Sequence, residues 1–195
     1  MSHALIAAPA QPAHIMQKTF RAALTALSEP ARAVPVPEID SPAGASPALW
    51  ALVLTLLDQD VSVYWPGADE TLKANVLFHT GVKWSDTPET ADFAVLAADS
   101  SQTLALLDRV SVGSHERPDM SATVLFVVGS ETTDTLVEGP GLKSATEQRL
   151  PMNEALAYRL GQQAKTYPLG FDAYFVDQHT VLGIPRSTRI MVRAD

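Results

Sequence analysis

Two kinds of apolar spacing alternate along the first half of this chain, and that alternation constrains the fold more than any other feature. Met16, Phe20, Ala23, Leu24 and Leu27 recur at helical intervals. Pro30 ends that helix, because its ring excludes the α conformation at Glu29. Ala33–Val36 then reads as a short strand, which the prolines at 35 and 37 confine to an edge or a strand end. Ser46-Pro47 supplies a capping hydroxyl and a proline at the first helical position, and Leu49, Trp50, Val53, Leu54 and Leu57 follow as a broad apolar face. Asp58-Gln59-Asp60 turns the chain into a strand at Val61–Trp65. Asp69 is placed to cap a third helix through His79, with Gly81 just past its end.

The second half is richer in strands. Phe93–Ala97 reads as a buried strand, and Ser100 or Ser101 caps a helix running to about Val110. After a loop over 111–120 comes the most hydrophobic strand, Ala122–Val128, with Thr135–Glu138 as its expected hairpin partner. Gly139-Pro140-Gly141 breaks that partner strand. A helix over Met152–Gln163 sets Met152, Leu156 and Leu160 on one face. Phe171–Val176 and Val181–Ile184 are the closing strands, and Ile190–Arg193 is a candidate for a short further one. Helices and strands alternate early and strands cluster late. That predicts an α/β fold: a helix-flanked mixed sheet, parallel in part, with antiparallel additions near the C-terminus. Residues 1–13 read as a loose Ala/Pro tail and 14–195 as one domain, a size usual for a single core.

Composition excludes several classes of function. The formal net charge of −8 disfavours nucleic acid as a partner, since phosphates would be repelled. There is no cysteine, so disulfides, thiolate zinc sites, iron–sulfur ligation and a cysteine nucleophile are all excluded. The longest apolar run, Ala48–Leu57, is about half of the ~20 residues that span a membrane. The first residues lack the basic segment of a signal peptide. A cytoplasmic protein without membrane contact is expected.

No motif announces a reaction. G-x-S-x-G and the phosphate-binding glycine loops are absent. His3, His14, His79, His115 and His179 share no metal-ligand spacing, and His115 with Glu116 and Asp119 reads as a solvated loop. His79 closes a helix, where an imidazolium would meet the negative end of the dipole. Gly139-Pro140-Gly141 has two glycines, but its proline removes a donor from any phosphate cradle. No metal site is expected.

The most patterned stretch is YPLGFDAYFVDQHTVLGIPRSTRI, Tyr167–Ile190. Alternation sends Phe171, Ala173 and Phe175 to one side of a strand and Asp172, Tyr174 and Val176 to the other. Arg186 and Thr188 are expected on one face of the next strand. They would serve as a carboxylate or phosphate receptor, or Arg186 would pair with Asp172 across the hairpin.

Taken together, FRAALTALSEPA at Phe20–Ala31, LFHTG at Leu77–Gly81, GPGL at Gly139–Leu142 and the Tyr167–Ile190 stretch resemble the PhnH subunit family of the bacterial carbon–phosphorus (C–P) lyase system. Ala31 stands where that family commonly has glycine, and Ser187 where threonine is usual. The resemblance implies a three-layer α/β/α fold like that of the PLP-dependent transferases, without PLP. It implies a non-catalytic subunit in phosphonate catabolism, working with PhnG, PhnI, PhnJ and PhnL proteins and pairing as a homodimer when isolated. The complex would use ATP, joining an alkylphosphonate to its ribose with loss of adenine. SAM and the iron–sulfur cluster would sit on another subunit, with no cofactor on this chain. Glu29, His79, Asp172 and Arg186 map onto recurrent polar positions of the family and are read as fold-setting or interface residues. Gly139, Gly141 and Thr188 complete the candidate set. The alternative is a transferase or hydrolase binding phosphate or phosphonate near Arg186, with His79 and the Gly139–Gly141 turn converging on it. A degenerate pyridoxal protein is a third reading.

Overall fold

Local capping sets most helix starts. The computed structural model describes residues 4–193. After α1 (Pro12–Ser28) and β1 (Ala33–Pro35), α2 (Pro47–Leu56) begins where Ser46 Oγ accepts from the Leu49 N–H at 3.2 Å. β2 (Ser62–Tyr64) leads to α3 (Glu70–Thr80), capped by Asp69 Oδ1 on the Leu72 N–H at 2.7 Å and closed by Gly81 at φ 69°. β3 (Lys83–Trp84), β4 (Phe93–Ala97), α4 (Thr103–Leu107) and β5 (Thr123–Val127) follow. Then come β6 (Thr133–Glu138), β7 (Thr146–Leu150) and α5 (Glu154–Gln163), whose cap is Asn153. β8 (Asp172–Val176), β9 (Thr180–Ile184) and β10 (Arg189–Val192) complete the chain.

Seven strands form one mixed sheet in the order β1-β9-β8-β5-β4-β2-β3. β2, β3, β4, β5 and β8 run parallel, and β9 is antiparallel to both its neighbours. Alternation divides the core. Val95, Leu125, Tyr174 and Val176 pack with α1, α2 and α3 on one face. Ala94, Phe126, Ala173 and Phe175 pack with α4, α5 and a second sheet on the other. That second sheet is antiparallel, in the order β10-β6-β7. α2 is buried all round from Ala48 through Leu54, beyond the single broad apolar face that its spacing suggested.

Several elements differ from expectation. β6 does not pair with β5, because both edges of β5 are already taken by β4 and β8. It becomes instead the centre of the small sheet, between β10 and the unexpected β7. α4 has only five residues and starts after Gln102, with no side-chain cap from either serine. α1 buries Thr19, Ala22, Ala23 and Ala26, while Met16, Phe20 and Leu24 are exposed. The reason is clearance: at Gly183 of β9 even a Cβ would overlap the carbonyl of Ala26, so only the small-residue face fits. Part of the segment read as a loose tail is tied down, as described below, while its residues 1–3 lie outside the described residues.

Candidate functional site

The Tyr167–Ile190 stretch builds a hairpin with a charged latch. β8 and β9 pair in the register Ala173↔Ile184 to Val176↔Val181, which brings the residues just outside it, Asp172 and Arg186, together. Arg186 is not on a strand. It lies in the turn after β9, so it and Thr188 do not form the shared strand face anticipated from alternation. Its backbone N–H donates to Asp172 Oδ1 at 2.9 Å. Nε donates to Oδ1 at 3.3 Å, and Nη2 to Oδ2 at 2.7 Å. Nη2 also donates to Ser121 Oγ at 2.7 Å, and Nη1 to the carbonyls of Pro118 at 2.8 Å and Pro168 at 3.4 Å. A guanidinium has five N–H groups, and five bonds account for them. With side chains only 15% and 29% exposed, the pair joins the 118–121 loop, the 167–170 turn and the hairpin end.

A second junction forms where three turns meet. Gly141 stands at φ 90°, and a Cβ there would overlap the carbonyl oxygen of Ser28 at the end of α1 and crowd Pro30 Cδ at 2.7 Å. At Gly139, φ 145°, a Cβ would lie 3.1 Å from Ser187 O and 3.3 Å from the Thr188 Cα. The glycines therefore allow backbone to lie on backbone, rather than cradling an anion. Thr188 is buried, with its N–H donating to Pro185 O at 2.9 Å and its hydroxyl without a partner among the described residues. Glu29 caps α1 through its N–H to Thr25 O at 2.9 Å, and its side chain pairs with exposed Arg32.

His79 serves elsewhere. Its Nε2 lies 3.1 Å from the carbonyl oxygen of Ile6, and its ring meets Trp50 edge-on at 5.5 Å. One turn earlier on α3, buried Asn75 accepts from the Ile6 N–H at 2.9 Å and donates to Ala4 O at 2.9 Å. The i, i+4 pair grips the extended N-terminal segment as a neighbouring strand would.

The geometry separates the groups that a catalytic reading would bring together. A cavity of about 370 Å³ beside Arg186 is lined also by Asp119, Asp172, Tyr167 and Pro185, and neither His79 nor the Gly139–Gly141 turn reaches it. Both Asp119 oxygens accept from Arg117, and those bonds hold its carboxyl below the usual range. Two carboxylates and a fully committed guanidinium make a poor receptor for an anion. Among the described residues no cluster of three or more His, Asp or Glu stands where a metal could be held, and no helix is long and apolar enough to cross a membrane.

Comparison with known proteins matches residues 7–191 to the family model described as "Bacterial phosphonate metabolism protein (PhnH)". The chain belongs to the PhnH family. It is also 31% identical over 182 residues to the "Putative C-P lyase subunit protein HtxG" of Stutzerimonas stutzeri, covering 91% of this chain and 86% of that relative. PhnH membership ties the chain to bacterial phosphonate metabolism.

Ala31, where the resemblance leads one to expect glycine, adopts φ 63° and donates its N–H to Gly183 O at 3.0 Å. The left-handed turn that suits glycine is thus kept, with alanine carrying the strain. Three structural residues escaped the sequence reading. Asn75 looks like an ordinary polar helix residue, and only its burial marks it. Gln163 ends α5 and accepts from the Phe171 N–H at 2.9 Å. Gly183 sits inside a strand, where an isolated glycine does signal close backbone approach.

Proposed function

We propose that this chain is a non-catalytic subunit of a C–P lyase complex. It supports the ATP-dependent formation of an alkylphosphonate ribose 5-triphosphate, with displacement of adenine, and the later C–P bond cleavage carried out by a partner. One observation carries this reading: the recurrent polar and glycine residues of the family are spent on joining turns, strands and helices. Arg186 is committed to Asp172, Ser121 and two backbone carbonyls, Gly139 and Gly141 admit neighbouring backbone, and His79 holds the N-terminal segment. The seven-stranded sheet between two packed layers supports the likeness in outline to the PLP-dependent transferase fold.

A subunit also needs an outward face. On α1, Met16, Phe20 and Leu24 stand at i, i+4, i+8, each more than a third exposed, with exposed Arg21 and Lys18 on the same helix. An apolar stripe of this kind marks a protein contact. It is the surface we assign to PhnG-, PhnI-, PhnJ- or PhnL-type partners, and the isolated chain is expected to self-pair as a homodimer.

The test is affinity purification of the tagged chain from cells using a phosphonate as sole phosphorus source. Stoichiometric co-elution of C–P lyase subunits is expected, with loss of that co-elution for the Phe20→Asp/Leu24→Asp variant. The variant should keep its stability within about 0.5 kcal/mol, since both side chains are exposed. Elution of the wild-type chain without those subunits at low salt would overturn the reading.

A further inference from the structure

The large sheet runs outward in two directions. From β2 the chain passes through α3 to β3 at one edge; from β4 it passes through α4 to β5 and on towards the other. β2 and β4 are neighbours, so the connections leaving their carboxyl ends diverge. Open α/β sheets receive ligands at such a reversal of strand order. A cavity of about 350 Å³ lies there, between Trp65-Pro66-Gly67 after β2, Val95–Ala97 of β4 and the start of α4. That volume falls at the lower end of small-molecule pockets, roughly 300–1,000 Å³. None of the residues described above as latches and junctions lines it.

Its lining divides into two chemistries. Trp65, Val95, Leu96 and Val127 are apolar, while Ser100, Gln102 and Thr103 bring neutral hydrogen-bonding groups. Thr103 Oγ1 donates to Ala97 O at 2.6 Å and keeps lone pairs to accept with. Ser100 Oγ accepts from the Gln102 N–H at 3.3 Å, which leaves its own proton to donate. The Gln102 amide makes no cap bond at the start of α4. No Lys, Arg, His, Asp or Glu lines the cavity.

These properties sort possible ligands. A phosphate or carboxylate would be desolvated without a cation, in a chain of net charge −8. A Schiff-base cofactor would find no lysine. A hydrocarbon would leave the Gln102 amide and the Ser100 hydroxyl proton unmatched, and a sugar, polar on every edge, would meet the apolar half. A flat heterocycle with two apolar faces and a hydrogen-bonding edge satisfies both halves. We propose that this crevice binds an uncharged nucleobase or nucleoside and rejects its phosphorylated forms.

The experiment titrates adenosine, uridine and AMP into the full-length protein, followed by ligand-observed NMR and calorimetry. Two variants accompany it. At Gly67 an added Cβ would meet nothing within 4 Å, so Gly67→Leu places a side chain in open space at the cavity without disturbing its neighbours. Gln102→Leu keeps the bulk and removes the amide. Saturable binding of at least one nucleoside is expected, weakened about tenfold or more in each variant at unchanged melting temperature, with AMP about tenfold weaker than adenosine. Absence of nucleoside binding at millimolar concentration, equal binding to Gly67→Leu, or tighter binding of AMP would each overturn the proposal. None of these outcomes bears on the subunit reading, which stands on co-elution.

Discussion

Asp172 receives three hydrogen bonds from Arg186, one from its backbone N–H and two from its guanidinium. The remaining guanidinium donors reach Ser121 and the carbonyls of Pro118 and Pro168, so one side chain fastens the 118–121 loop to the 168–172 stretch.

Removing either partner strands a partly buried charge. Arg186→Ala should cost about 3 kcal/mol, and Arg186→Lys should recover little, because an ammonium cannot reproduce the fork. Urea denaturation of both variants, of Asp172→Ala and of the double variant measures this. A coupling energy above about 1 kcal/mol is expected in the cycle.

Gly141→Ala should destabilise by about 2 kcal/mol or more. It sets a Cβ against the Ser28 carbonyl at a φ that L residues disfavour. Gly67→Ala, in open space, should stay within about 0.5 kcal/mol of wild type. Equal melting temperatures for the two variants would refute the backbone-contact reading of the Gly139–Gly141 turn.

Legibility followed the range of the forces involved. Caps at Ser46, Asp69 and Gly81 were readable because each acts within one turn of helix. The two sides of β8 were readable because pleating alternates strictly: Phe171, Ala173 and Phe175 lie in one core, Tyr174 and Val176 in the other. The buried face of α1 was readable only in part: Ala23 and Leu27 of the helically spaced set pack inward, whereas clearance at Gly183 turns Met16, Phe20 and Leu24 out and brings Ala22 and Ala26 in. β6 was misassigned because nothing local reveals that β5 already has two neighbours. The pairing of Arg186 with Asp172 was readable from the hairpin pattern of the Tyr167–Ile190 stretch, whereas the cavity at the ends of β2 and β4 depends on strand order and has no local signature.

Alkaline pH should weaken the fold through Tyr174. Burial, and then the Asp172 carboxylate, hold its phenol un-ionised above the usual range, while its hydroxyl donates to Ala23 O at 3.3 Å. The unfolded chain loses that proton near pH 10 and the folded chain retains it. Folding therefore carries an excess proton above about pH 10, and stability falls there by up to about 1.4 kcal/mol per pH unit. Below that pH the contribution is fully present. Tyr174→Phe should flatten this limb in denaturation curves measured from pH 8 to 11.

Asn75→Ala should release the N-terminal segment. The buried amide bonds Ile6 N, Ala4 O and Thr71 O, each at 2.9 Å, and its loss should cost about 2 kcal/mol. Hydrogen exchange at the Ile6 amide should accelerate well before exchange in β4 or β5. Unchanged protection at Ile6 would show that His79 alone suffices to hold the segment.

β1 finds its place in the large sheet solely beside β9. β1 must therefore wait, unpaired in that sheet, until β9 has left the ribosome. Such long-range pairing is slow to form, because a large loop must close first. A product ending short of Thr180 would lack β9, leaving β1 without its partner in the sheet and β8 as an open edge to other chains. Synthesis of β9 is thus a checkpoint written into the strand order: until it is made, β1 has no neighbour in the sheet and β8 lacks its second one.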